Sequence, residues 1–302
     1  MYKLLVAFSI ILVIFFQNPI ISLILGLIIG LILNDNLKNY IRPIGSLPLQ
    51  IGIVLIGFSI SFRIFKDLLI NYFPILSLFV ILTFITGLLL GRLFNIDKKF
   101  IYLISSATAI CGATAALVIS SIIKAKPNQV SLAIFIIFIM NAIALAIFPI
   151  VGKYLGLSDM QFALFSALAI HDTGSVVGAG LLFSDNAGEI AATLKVGRTI
   201  WILPLIVVVT HLTNKERSLS FNDLPKFIIL FFIAIIISNT LNLPAHIIDI
   251  FKLLSFIFIN IGIFLIGVQS KIEKISHLSN LMYPIFFWLI VVTISFVVVT
   301  GL

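Results

Sequence analysis

The stretch AIHDTGSVVGAG, Ala169–Gly180, decides how this chain is read. It lies inside an apolar run, residues 159–183, of membrane length. Within twelve residues it holds a histidine, an aspartate, a threonine, a serine and three glycines. A charged side chain at mid-membrane costs ~2.5–3.5 kcal/mol even on the mildest scale. A residue set this costly points to function.

The rest of the chain supports the membrane setting. Of 302 residues, 61% are hydrophobic and only 10% charged, against about 25% charged in soluble domains. A soluble fold of this size could not bury so much apolar surface. Continuous apolar runs, rather than period-two alternation, favour helices over an outer-membrane barrel. The expected class is an all-α polytopic membrane protein forming a single transmembrane domain over 1–302. The net charge of +8 is spread singly and in pairs at the ends of apolar runs. That marks cytoplasmic loops rather than a nucleic-acid surface, so no nucleic-acid partner is expected. Cys111 is alone, which rules out an intrachain disulfide and a cysteine metal cluster. No metal-ligand spacing and no nucleophile–base pair is visible, so neither a cofactor nor an enzymatic activity is expected.

Eleven helical segments are predicted, near 3–17, 19–34, 45–62, 70–91, 99–123, 129–151, 159–183, 188–211, 225–241, 247–268 and 280–301. The first follows Lys3 without a small-residue cleavage site and reads as a retained helix rather than a signal peptide. If every segment crosses the membrane, twelve Lys and Arg fall on one side and five on the other, with Lys195 and Arg198 set aside. The excess places the N-terminus in the cytoplasm of a multi-pass protein of the bacterial inner membrane. Making the His171 segment a re-entrant hairpin would flip everything after it and erase the excess, so a true crossing is predicted there. IGIVLIG (Ile51–Gly57) and IGIFLIG (Ile261–Gly267) lie on segments of opposite direction, as an inverted repeat would require.

A second run is also broken by small and hydroxyl residues, SSATAICGATAAL, Ser105–Leu117. Both runs read as helices interrupted near mid-membrane. Unwound backbone at that depth is tolerated where it lines a buried site, and half-helix N-termini attract anions. Thr108, Cys111, Gly112, Thr114, Thr173 and Ser175 are candidate lining residues. GxxxG-type helix packing is the competing explanation for Gly26/Gly30, Gly87/Gly91 and Gly174/Gly178. Lys195 and Arg198, three apart on the next helix, share a face. With His171 and Asp172 they would form a net positive site for a small anion, His171 or Asp172 carrying a coupling proton. The competing placement has both cations at a helix end, snorkelling outward. Asn141 is a lesser candidate that would bond between helices. His211, His246 and His277 read as interfacial, and Cys111 as a packing residue more readily than a reactive thiol.

The set SATAICGATAAL (106–117), IHDTGSVVGAG (170–180) and LKVGRTIWILP (194–204), with LQIGIVLIGFSISF (49–62), resembles the YeiH-type family of bacterial inner-membrane proteins, described as sulfate exporters. Ile110-Cys111-Gly112, His171-Asp172, Val177–Gly180 and Lys195-x-x-Arg198 match its motifs in order. The resemblance covers nearly the whole chain. It implies a transporter of ten to eleven helices related to bile-acid-symporter and sodium/proton-antiporter folds, whose two broken helices run antiparallel. The segment count above makes them parallel. The expected activity is export of a small anion, sulfate or a related sulfur oxyanion or sulfonate, coupled to H+. The alternative is a cation/proton antiporter for H+ or Na+, with Asp172 as carrier and Lys195 or Arg198 as counter-charge. The lipid bilayer is a partner in either case, and a homodimer is compatible with both.

Overall fold

The computed structural model describes residues 2–33, 47–213, 225–269 and 279–301. Every described segment of regular structure is α-helical, as composition requires. The order is α1 (Tyr2–Phe16), α2 (Pro19–Ile32), α3 (Leu47–Gly57), α4 (Phe62–Leu93), α5 (Lys98–Ala109), α6 (Ala113–Ile123) and α7 (Pro127–Tyr154). There follow α8 (Asp159–Ala169), α9 (Thr173–Phe183), α10 (Asp185–Thr199), α11 (Ile202–Leu212), α12 (Lys226–Thr240), α13 (Ala245–Gln269) and α14 (Ser279–Thr300). Short polar caps set many of these boundaries. Asn18 accepts from the Ile20 and Ile21 amides ahead of Pro19, and Asp97 accepts from Lys99 and Phe100. Ser158 and Gln161 form a reciprocal capping box. Among the described residues, five helices are long and apolar enough to cross a bilayer: α4, α7, the nearly continuous α10–α11, α13 and α14. α4 starts eight residues before its predicted segment. Ser61 caps it, and Arg63, Lys66 and Asp67, which read as loop, form its exposed first turns.

The two interrupted segments are present, but they do not cross. Twenty-six residues of straight helix would separate their ends by about 37 Å. Instead, Lys99 Nζ donates to the Lys124 carbonyl at 2.7 Å, and Gln129 Nε2 donates to Asp97 Oδ1 at 2.9 Å. The two ends of 98–123 therefore lie together. In the same way, Ser184 Oγ donates to Asp159 Oδ1 at 2.7 Å and Asn186 Nδ2 to Asp159 Oδ2 at 2.9 Å. Each segment is a helical hairpin with arms of 11 or 12 residues, about 16–18 Å long, or roughly half of a ~30 Å hydrocarbon core. The predicted crossings at 99–123 and 159–183 are thereby corrected. α7, 28 residues long, joins the base of the first hairpin to the base of the second, so the hairpins enter from opposite faces. Their inbound arms are antiparallel, which removes the conflict over direction. The tips meet, and a methyl placed on Gly112 would lie 3.4 Å from the Cβ atoms of both His171 and Asp172.

Two bundles result. The first bundle holds the two hairpins with α4, α7, α10 and α14, α4 lying against the first hairpin and α14 against the second. The second bundle holds α2, α3, α12 and α13, and small residues bring its helices close. Gly26 and Gly30 lie against the α13 backbone around Gly267, Gly52 against Ser255 and Ile259, and Gly262 against Leu49. The two IGI-LIG stretches thus sit on α3 and α13, which run antiparallel side by side, as their opposite directions in the sequence required. Where the bundles meet, Leu49 covers Gly174, Ile263 covers Gly178, and Lys252 pairs with Glu189 at 2.8 Å.

The hairpin topology makes a labelling pattern. In a Cys111→Ala background, Lys98→Cys and Lys126→Cys should react with a membrane-impermeant maleimide from one face. Tyr154→Cys and Asn186→Cys should react only from the other. Labelling of Lys98→Cys and Lys126→Cys from opposite faces would restore the crossing.

Candidate functional site

Each hairpin brings to mid-membrane one helix C-terminus, with unpaired carbonyls, and one N-terminus, with unpaired amides. The ends of the inbound arms, α5 and α8, need donors and positive charge. α10 supplies both. Lys195 and Arg198 are each 0% exposed, on one face of that helix. This bears out the buried, inward placement over the snorkelling one. Arg198 Nε donates to the Ala109 carbonyl at 2.8 Å, and Nη1 donates to the carbonyls of Ala167 and Leu168, both at 2.7 Å. Nη2 donates to the Thr108 carbonyl. One guanidinium therefore ties both hairpin tips together, with Phe79 beneath it, 5.6 Å from the guanidinium carbon to the ring centre. Lys195 Nζ donates to the Ile170 carbonyl at 2.7 Å and reaches the Ala167 carbonyl at 3.5 Å. Among the described residues, neither cation has a carboxylate within ion-pair distance; helix C-termini and backbone dipoles hold them.

The tips themselves carry the other candidates. His171 is 1% exposed. Its backbone amide donates to Asn141 Oδ1 at 3.0 Å, which identifies that atom as the amide oxygen. Its ring Nδ1 lies 2.9 Å from the same oxygen and must therefore be the donor. Nε2 then carries the lone pair of the neutral ring, and it is buried with no partner among the described residues. Asp172 caps α9, its Oδ1 accepting from the Ser175 amide at 2.8 Å, and it is half-buried. Gly112 begins α6 with no side-chain cap, at φ +65° and ψ −127°, a conformation open to glycine. Thr114 in the first turn of α6 and Ser175 in the first turn of α9 are half-buried beside the tips, Thr173 is buried, and Cys111 is buried within the first tip. Thr108 enters through its carbonyl.

The structure thus gathers His171, Asp172, Lys195 and Arg198 where the tips meet. Lys195 and Arg198 spend most of their N–H groups on backbone carbonyls, two of three and four of five, while further open chemistry lies at His171 Nε2 and at the start of α6, which has no side-chain cap from Gly112. Asn141 does bond between helices, and its partner is the site histidine. Trp288 was missed: its indole donates to the Ala169 carbonyl at 3.0 Å, and its ring centre lies 6.2 Å from that of His171. One tryptophan in an apolar helix gave no signal of this. His211 and His246 are exposed near helix ends, as expected, and His277 lies outside the described residues.

Removing the guanidinium would leave the carbonyls of Thr108, Ala109 and Leu168 without that donor, and Ala167 with only the long contact from Lys195, each lost bond worth ~1–3 kcal/mol. Arg198→Ala should therefore destabilise by about 3 kcal/mol or more, with Arg198→Lys recovering only part, measured as the detergent melting temperature. An unchanged Tm in Arg198→Ala would remove Arg198 from this role. Gly112→Ala should cost ~1–3 kcal/mol of backbone strain in the same assay; full stability would show that the tip tolerates a side chain.

Comparison with known proteins gives a consistent answer. A family model for conserved hypothetical protein 698 matches residues 3–294. A UPF0324 membrane protein of Porphyromonas gingivalis is 32% identical over 284 residues, covering 91% of this chain and 84% of the relative. One from Vibrio parahaemolyticus is 32% identical over 293 residues, covering 93% and 94%. Another from Bacteroides thetaiotaomicron is 37% identical over 227 residues, covering 74% and 67%. No solved structure matches. A chain matched over nearly its whole length, with its tip motifs in order, belongs to the UPF0324 family, the YeiH-type family of bacterial membrane proteins.

Proposed function

We propose that the protein is a secondary transporter of a small anion, sulfate or a related sulfur oxyanion or sulfonate, moved outward together with a proton. The observation that carries this reading is the meeting of two half-membrane hairpins, inserted from opposite faces, around an electropositive centre. Such a site can be reached from either face if one bundle shifts against the other. The anion would sit at the uncapped start of α6, in the field of Lys195 and Arg198 but not bonded to their nitrogens. His171 is the coupling group. With Nδ1 committed to Asn141, a neutral ring offers an anion only a lone pair at Nε2. Protonated, Nε2 becomes a donor to the anion and adds a third positive charge. Anion and proton therefore bind together, and affinity rises as pH falls.

The hairpins also bear on orientation. Two re-entrant segments flip the chain twice, so everything after the second keeps its side. Lys124 and Lys126 join Lys98 and Lys99, and only Lys153 leaves them. The excess of basic residues grows, which supports an N-terminus in the cytoplasm and a bacterial inner-membrane location.

A second reading draws on Asp172, a half-buried carboxylate at the tips, as the carrier of a cation/proton antiporter with Lys195 or Arg198 as counter-charge. One experiment separates the two: melting temperature of the detergent-solubilised protein against sulfate, sulfite, thiosulfate, taurine, phosphate, chloride, sodium and lithium. A ligand of the folded state raises Tm by mass action. An oxyanion shift larger at pH 5.5 than at pH 8, and lost in His171→Gln, is expected. A sodium shift that grows with rising pH and disappears in Asp172→Asn would replace this reading with the antiporter.

A further inference from the structure

At the base of the first hairpin, far from the tips, a pocket of about 460 Å³ opens between the end of α4, the hairpin and the end of α11. Four cations line it, Arg92, Lys98, Lys99 and Lys124, and among the described residues no carboxylate does. Tyr102 and Thr213 add hydroxyl groups, and the remaining wall is aliphatic. The acid nearest in sequence, Asp97, is already engaged with the amides of Lys99 and Phe100 and with Gln129 Nε2. Lys99 is held in place through its bond to the Lys124 carbonyl, with two N–H groups to spare. Among the described residues, no carboxylate pairs with Arg92, Lys98 or Lys124. The pocket therefore concentrates positive charge that nothing in the described chain neutralises, at the membrane surface and beside an apolar wall.

We propose that this pocket binds a phosphoryl anion, an anionic phospholipid headgroup or a soluble phosphate group. Arg92 offers a planar fork to two phosphate oxygens, and the lysines supply point charges around it. Basic pockets between helices at the cytoplasmic surface suit lipid headgroups. Leu89 and Leu93, exposed on α4 next to the pocket, give acyl chains a surface to lie on. A ligand here would bridge α4, both arms of the first hairpin and α11, and so brace the hairpin at its base. The inference does not depend on what the tips bind.

The test uses the full chain in neutral detergent. Short-chain phosphatidylglycerol, short-chain phosphatidylcholine and inorganic phosphate are each titrated while Tm is followed. Arg92 and Lys98 are exposed, so Arg92→Gln/Lys98→Gln should keep the fold, and Arg92→Lys/Lys98→Arg serves as the charge-conserving control. Phosphatidylglycerol should raise Tm where phosphatidylcholine does not, with apparent affinity about tenfold or more weaker in the double glutamine variant and retained in the control. The same pattern with inorganic phosphate would assign the pocket to a soluble phosphate group. If neither phosphoryl ligand shifts Tm beyond phosphatidylcholine, or if the glutamine variant responds like the parent, the site does not exist. Should that variant misfold, Arg92→Gln and Lys124→Gln singly must each weaken the response.

Discussion

The Arg198 guanidinium bonds to carbonyls from both hairpins, Thr108 and Ala109 on one and Ala167 and Leu168 on the other. Hairpins of half-membrane depth are difficult to stabilise. Each must end in hydrocarbon with the last carbonyls of its inbound arm unpaired, and unpaired polar backbone is not tolerated there. Water cannot supply the donors without opening a leak. A single planar cation, held between two helix C-termini, supplies several donors and the right sign of charge at once. Lys195 does the same for the Ile170 carbonyl one turn away. Arg198 and Lys195 are themselves stable in hydrocarbon for the same reason: each is surrounded by carbonyl oxygens in place of water. Neither half of the arrangement would survive without the other.

From that constraint the rest of the site follows. With the C-terminal ends occupied by α10, the sides of the tips left open are the starts of α6 and α9. Asp172 closes the start of α9, while Gly112 gives that of α6 no side-chain cap. Asn141, reaching in from α7, fixes the His171 backbone and ring together, and Trp288 from α14 holds the carbonyl just before the second tip. Three full-length helices thus position two short loops. The second bundle touches this assembly through small surfaces, Leu49 over Gly174 and Ile263 over Gly178, while its own helices are drawn close by Gly26, Gly30, Gly52 and Gly262. Tight packing within each bundle and light contact between them is the distribution of stiffness that the proposed transport would require.

Much of this was legible in the residues. Asn18-Pro19, Asp97, Ser158 with Gln161, and Pro127 mark helix starts by local chemistry, and the structure starts helices there. His171, Asp172, Lys195 and Arg198 stood out because ionisable groups in such a chain must be explained. The hairpins did not stand out, for a physical reason. Twenty-five apolar residues with a weak centre satisfy one crossing or two half-length arms equally well, and hydropathy does not distinguish them. The charge count argued against one hairpin and was sound for one. It does not argue against a pair, because two reversals cancel for everything after the second. The clue lay in polar residues at segment ends, Lys99, Gln129, Asp159 and Ser184, whose partners are distant in sequence and unreadable before the fold is known. Trp288 was illegible for a simpler reason: only its position separates it from any other aromatic in contact with lipid.

The same geometry revises what the fixed charges do. Read as a sequence, Lys195 and Arg198 looked like hands for an anion. In place, carbonyls take two of the three Lys195 N–H groups and four of the five on Arg198, and what they chiefly offer across the tips is field. A field without bonds attracts any small anion and distinguishes poorly among them. Discrimination must then come from groups with open valences, and at the tips these are the amides of α6, the hydroxyl of Thr114 and Nε2 of His171. The histidine is the only one of them whose valence changes sign with a proton, from acceptor to donor. In the proposed transporter such a centre would separate its tasks: α10 holds the two tips together and sets the sign of the charge, and the second tip would decide when an anion is held.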